Sequence, residues 1–220
     1  MGSDNLFHKK REKRELERVR EIKIRNEKRR MLIVCEGETE EGYFNFIAAG
    51  ISDLICDVTS DCGTSPMCVA KCATKIAQDD GGYDKVFAVF DGDIQDEKNF
   101  FDAISLCQTV NSDQLPIKAI PTTPCFEFWI LLHFILSRKP YLGNKNTKSA
   151  GEHIVTDLKK QPGMQSYSKG SSLNFSAFAG RLDNAIDNAK IVEAAAIEEG
   201  ERNPSTKVHH VIASMLEIDL

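Results

Sequence analysis

Apolar runs of six or seven residues alternate with longer amphipathic stretches along the first two thirds of the chain. "MLIVCE" (31–36) reads as a strand buried on both faces, and a helix is expected over 40–49, ending at Gly50. "DLICDVTS" (53–60) predicts a second strand. Pro66 stands where a helix begins, and Met67, Ala70, Lys71, Thr74 and Ala77 follow its repeat until "DDGG" stops it. "KVFAVFD" (85–91) predicts a third strand, 97–109 a helix, "PIKAIP" (116–121) a fourth strand, and "PCFEFWILLHFIL" (124–136) an apolar helix. Strand and helix alternating four times is the pattern of a parallel sheet with crossover helices, so a Rossmann-like α/β fold is expected.

Past Arg138 the pattern changes. "RKPYLGNKNTKSAG" is polar and turn-rich. Helices are expected over 149–160 and about 173–199, separated by the loop "QPGMQSYSKGSS", and "NPST" (203–206) reads as a turn into a last short helix capped near Ser205 or Thr206. The expected organisation is therefore an arm over 1–30, an α/β core over 31–138 and a mostly helical part over 139–220.

Charge sharpens this division. The chain of 220 residues has a net charge of −5, yet residues 1–30 hold 12 Lys/Arg against 6 Asp/Glu, so a basic arm precedes an acidic body. The arm has almost no apolar stripe and suits a solvated helix or an unstructured extension. Its charge, including Arg29 and Arg30 at its end, suits contact with nucleic acid or an acidic partner, or simply solubility. No apolar run is long enough for a membrane span and no leader-like start is present, so a soluble, cytoplasmic protein without membrane contact is expected. Seven cysteines without a CxxC pair favour reduced, mostly buried thiols over disulfides or zinc.

The candidate chemistry lies where strands end. In open parallel sheets, ligands bind beyond the carboxyl ends of the strands. Glu36 closes the first strand. Asp91 closes the third, and Asp93 in "VFDGDIQ" points to the same side if the chain stays extended. Hard oxygen ligands of this kind suit Mg²⁺ or Mn²⁺ better than zinc or copper. Glu38, Glu40 and Glu41 fit the first turn of a helix, where negative charge is favourable. Glu127 sits on a helix apolar nearly all round, so its carboxylate must be paired, hydrated, metal-linked or stabilised by its own helix start. His133 on the same helix is a core histidine or a base, His209 and His210 are expected at the surface, and Lys169 with Tyr167 in "SYSKG" is a loop pair able to meet a phosphate.

"VCEGETE" together with "VFDGD" resembles the TOPRIM fold, in which a strand-ending Glu and a later DxD bind divalent metal. "PCFEFWILLHF" and "NPST" extend the resemblance to the RloB family, also called AbiLii, over most of residues 31–215. The resemblance implies a four-stranded parallel TOPRIM sheet, Glu36, Asp91 and Asp93 as metal ligands with Glu40 second to them, and an anti-phage role beside an AAA-type ATPase within a larger assembly. Position 92 is Gly where relatives often carry Arg, so a phosphate contact from such an Arg is lost. The expectation is a magnesium-dependent nuclease acting on RNA, transfer RNA included, or on DNA, with Glu36, Asp91, Asp93 and Glu127 catalytic. A metal-binding nucleotide-sugar transferase and a non-catalytic subunit of the ATPase complex are the alternatives.

Overall fold

The structure, a computed structural model, describes Arg14 and residues 28–92, 97–143, 148–169 and 177–220. The remainder of the basic arm, Asp93 and the beginning of the helix expected from 173 lie outside the described residues.

Five strands form one sheet in the order β2-β1-β3-β4-β5. β1 (Arg29–Val34) pairs in parallel with β2 (Leu54–Thr59) on one side and β3 (Lys85–Asp91) on the other; β3 pairs in parallel with β4 (Ile117–Thr123). The chain leaves β1 toward one edge and resumes at β3 toward the other, so the order reverses between β1 and β3. That reversal opens a crevice at the carboxyl ends of these two strands.

Strand residues alternate between two cores because successive side chains leave opposite faces. Leu32, Val34, Val86, Ala88 and Phe90 meet α2 (Pro66–Asp80) and α3 (Glu97–Val110). Met31, Ile33, Cys35, Phe87 and Val89 meet Tyr43 and Phe44 of α1 (Glu38–Ala48), together with α4 (Glu127–Leu132), α5 (Ala150–Leu158), α6 (Leu182–Glu199) and α7 (Val208–Leu216). A three-layer α/β fold results, and the part after residue 138 packs on the same core as α1. α2 starts as its sequence dictates: Pro66 follows the cap Ser65, whose side chain accepts the Cys68 amide at 3.3 Å. α5 carries a full capping box between Ser149 and Glu152.

Four expectations change. The sheet has a fifth strand, β5 (Ser205–Thr206), antiparallel to β4, where a turn was expected. Two polar residues carry no periodicity, and their strand character comes from β4, including a 2.8 Å bond between the Thr122 and Thr206 hydroxyls. Thr206 also accepts the Val208 amide at the start of α7, close to the expected cap. The helix expected over 124–136 is helical only from Glu127 to Leu132. Its last turn tightens through bonds from His133 N to Ile130 O and Phe134 N to Leu131 O, while Asn188 takes the Leu132 carbonyl. The long C-terminal helix begins at Leu182, preceded by a 3₁₀ turn over Ala179–Arg181. Finally, Cys62 and Cys72 are disulfide-bonded, because the loop after β2 folds back onto α2 and brings their Cα atoms within 5.9 Å; sequence spacing alone did not indicate this contact.

Candidate functional site

Both strands at the reversal deliver a carboxylate. Glu36 follows β1 by two residues, and Asp91 ends β3 beside Thr122 of β4. Asp91 Oδ1 accepts the Phe126 amide at 2.9 Å, tying the end of β3 to the turn before α4. Gly92 then passes so close to β4 that an added Cβ would lie 2.1 Å from Thr123 Oγ1 and 3.2 Å from Phe100. The backbone donates from Gly92 N to Thr122 O at 2.7 Å, which holds the chain in that narrow passage. A larger side chain at this position would need its neighbours to move, so Gly92 is matched by its local packing.

Helices supply two more acids. Glu40, in the first turn of α1, is buried at 6% exposure, and its carboxylate folds back beneath the β1–α1 turn, where a Cβ on Gly37 would lie 3.1 Å from Oε2. Glu40 is thus drawn inward, whereas Glu38 stays exposed and Glu41 bonds to the Ser60 hydroxyl at the surface. Glu127 opens α4 at 3% exposure. Tyr167 donates its hydroxyl to Glu127 Oε1 at 3.1 Å, and Lys169 pairs with Oε2 at 2.9 Å. The loop expected to present a free basic residue therefore folds its lysine onto the acidic site.

The electrostatics show how closely these groups share one space. Burial pushes the Asp91 carboxyl well above the ordinary carboxylate range, and Glu40, Glu36 and Glu127 add repulsion in that order against the smaller opposing effect of Lys169. Burial likewise pushes Glu40 up to about 7; Glu127 adds to this, while its own backbone bond and Lys169 work against it. Burial opposes the charge on Lys169, but Glu127, which accepts its hydrogen bond, and Asp91 hold its proton in place. Cys125 and Cys35 stay thiols, pushed up first by burial and then by neighbouring carboxylates. Four carboxylates, Glu36, Glu40, Asp91 and Glu127, thus share this enclosed region with one ammonium.

This donor set fits a hard divalent cation, since it is all carboxylate and Lys169 alone does not keep Asp91 and Glu40 in the ordinary carboxylate range. Glu36, Glu40 and Asp91 are the residues that would hold it. Among the described residues, the trio whose ligand atoms all lie within 4.8 Å of one another is instead Glu193, His209 and His210, so the acidic set is more widely spread. Mutual repulsion opposes closer approach of carboxylates without an intervening cation.

Other expected residues lie elsewhere. Arg29 and Arg30 belong to the opposite, amino end of β1. Arg29 binds Asp53, Glu217 and the carbonyls of Ser214 and Met215. Arg30 reaches Asp57 at 3.4 Å and lies 4.5 Å over the Tyr83 ring. Both guanidinium groups are engaged within the fold. His133 is a satisfied core histidine: its Nδ1 donates to Trp129 O and its Nε2 accepts from the Tyr43 hydroxyl, each at 3.1 Å. His209, expected at the surface, is buried at 1% exposure. Cys125 was not singled out in the sequence; its place beside Glu127 follows from the turn after β4, which no spacing rule encodes.

Among the described residues, no helix is long and apolar enough to cross a membrane. Comparison with known proteins finds no matching curated protein and no matching solved structure. A family model described as RloB-like protein matches residues 31–215, which takes in the whole sheet from its third residue, the acidic crevice and every helix through most of α7. The chain therefore belongs to the RloB-like protein family.

Proposed function

We propose that the chain is a metal-dependent phosphodiesterase acting on nucleic acid, with Mg²⁺ or Mn²⁺ held at the crevice between β1 and β3. The observation that carries this reading is the surplus of carboxylates at the reversal point: Glu36, Glu40, Asp91 and Glu127 against Lys169. A bound divalent ion would lower the cost of that repulsion, polarise the phosphate and favour attack by water.

The chain's own residues divide the work. Glu36 and Asp91 would hold the ion, with Asp93 joining them as the family resemblance implies. Asp91 Oδ1 is engaged by the Phe126 amide, which anchors that carboxylate. Glu40 would add a ligand from the α1 side. Tyr167 and Lys169 fix both oxygens of Glu127, and Lys169, 53% exposed, also offers its ammonium to a phosphate entering from solvent. The nuclease reading extends to a toxic effector of a defence system whose ATPase partner governs access, with RNA favoured because a small acidic body offers little surface to grip duplex DNA.

The test is cleavage of end-labelled RNA, transfer RNA and duplex DNA by the purified chain, alone and with the ATPase encoded beside it, in Mg²⁺ and in Mn²⁺. New ends should appear with wild type and vanish with Asp91→Asn or a chelator. No cleavage of any nucleic acid under any of these conditions refutes the reading, and release of a nucleoside diphosphate from a nucleotide sugar would replace it with the transferase.

A further inference from the structure

Away from the strand ends, α6 and α7 bring three ligating side chains together. Glu193 Oε2 lies 3.0 Å from His209 Nε2 and 2.8 Å from His210 Nε2, and the two imidazole centroids are 4.2 Å apart. All three candidate ligand atoms lie within 4.8 Å of one another. Zinc holds imidazole nitrogen at about 2.0–2.1 Å and carboxylate oxygen at about 2.0–2.2 Å, so tetrahedral ligand atoms stand about 3.3 Å apart. The two carboxylate-to-imidazole separations reach that spacing with shifts of a few tenths of an ångström.

One oxygen of Glu193 serves both imidazoles, and among the described residues the buried His209 has no hydrogen-bond partner for Nδ1. Lys207 sits on the opposite oxygen of Glu193, 3.7 Å from Oε1, and so orients the carboxylate without occupying the point that both Nε2 atoms face. His210 is 39% exposed and lines a cavity of about 310 Å³ between α3, β4 and α7. That cavity gives solvent access on the His210 side of the cluster.

We propose that Glu193 Oε2, His209 Nε2 and His210 Nε2 form a site for a transition-metal ion of the Zn²⁺ class, with its remaining position open to the cavity beside β4. Two imidazoles and one carboxylate select a borderline ion over Mg²⁺, which sets this site apart from the all-carboxylate crevice. Bound metal would also clasp α6 to α7, because His209 and His210 come from one helix and Glu193 from the other.

The test uses the purified full chain after chelator treatment. Titration with Zn²⁺ against a chromogenic chelator should reveal one strong site, and Co²⁺ should give the visible absorption of a tetrahedral ion with nitrogen and oxygen ligands. His210→Gln, at the part-exposed position and able to fold, should weaken binding at least about tenfold. Glu193→Gln should do the same, whereas Asp91→Asn in the acidic crevice should leave Zn²⁺ binding unchanged. Wild type without a strong Zn²⁺ site, undiminished binding by His210→Gln, or a near-ultraviolet thiolate-to-cobalt band assigning the ion to cysteines would each overturn the proposal.

Discussion

Replacing Lys169 by Met tests how the acidic crevice is held together. Its ammonium lies 2.9 Å from Glu127 Oε2, with Glu127 3% and Lys169 53% exposed. Removing one partner of a fully buried pair costs about 3–5 kcal/mol, while an exposed pair is worth about 0.2–1 kcal/mol. One end here is buried and the other reaches water, and Tyr167 still donates to Oε1 after the change. The expected loss is therefore about 2 kcal/mol, which for a domain of this size lowers Tm by roughly 4–8 °C. Urea unfolding at neutral pH measures it, with Glu127→Gln and the double variant closing a cycle. The double variant should recover most of the loss, since a neutral amide needs no counter-charge. Millimolar Mg²⁺ should stabilise Lys169→Met more than wild type, because the crevice then lacks its ammonium. A Lys169→Met variant within about 0.5 kcal/mol of wild type, or a cycle with no coupling, would refute the view that Lys169 holds the site electrostatically.

Three further outcomes are expected. Gly92→Ala places a Cβ 2.1 Å from Thr123 Oγ1 and should cost about 1–3 kcal/mol by overpacking, read as an earlier urea midpoint with an unchanged slope. His133 is neutral and buried, its pKa lowered from 6.5 to about 4 chiefly by burial, so the unfolded chain binds the extra proton first. The stability due to its neutral form is fully present above pH 6.5 and declines as pH falls from 6.5 toward 4, by up to roughly 3 kcal/mol; His133→Gln should flatten that part of a stability-against-pH curve, and an unchanged slope would exclude this role. Ser149→Ala removes the capping box in which Ser149 Oγ accepts the Glu152 amide at 3.2 Å, and should cost about 1 kcal/mol in thermal unfolding.

Local patterning was sufficient for the four parallel strands and the helices between them. The continuous apolar runs "MLIVCE" and "KVFAVFD" are local properties of the strands, and they place Glu36 and Asp91 at the carboxyl ends whatever packs around them. The same logic read α2 from Pro66 and α5 from the stretch beginning at Ser149, since capping residues act within a single turn. Only the tertiary structure decided that Glu40 turns inward while Glu38 and Glu41 do not, because a first-turn acid looks the same in sequence whether its side chain faces the crevice or water. It also decided that a loop about forty residues after Glu127 returns Tyr167 and Lys169 to that carboxylate, and that "ST" at 205–206 becomes an edge strand. Glu193, His209 and His210 meet for the same reason. Two histidines in a row carry no period that marks a buried cluster, and the carboxylate they face is supplied by the packing of α6 against α7.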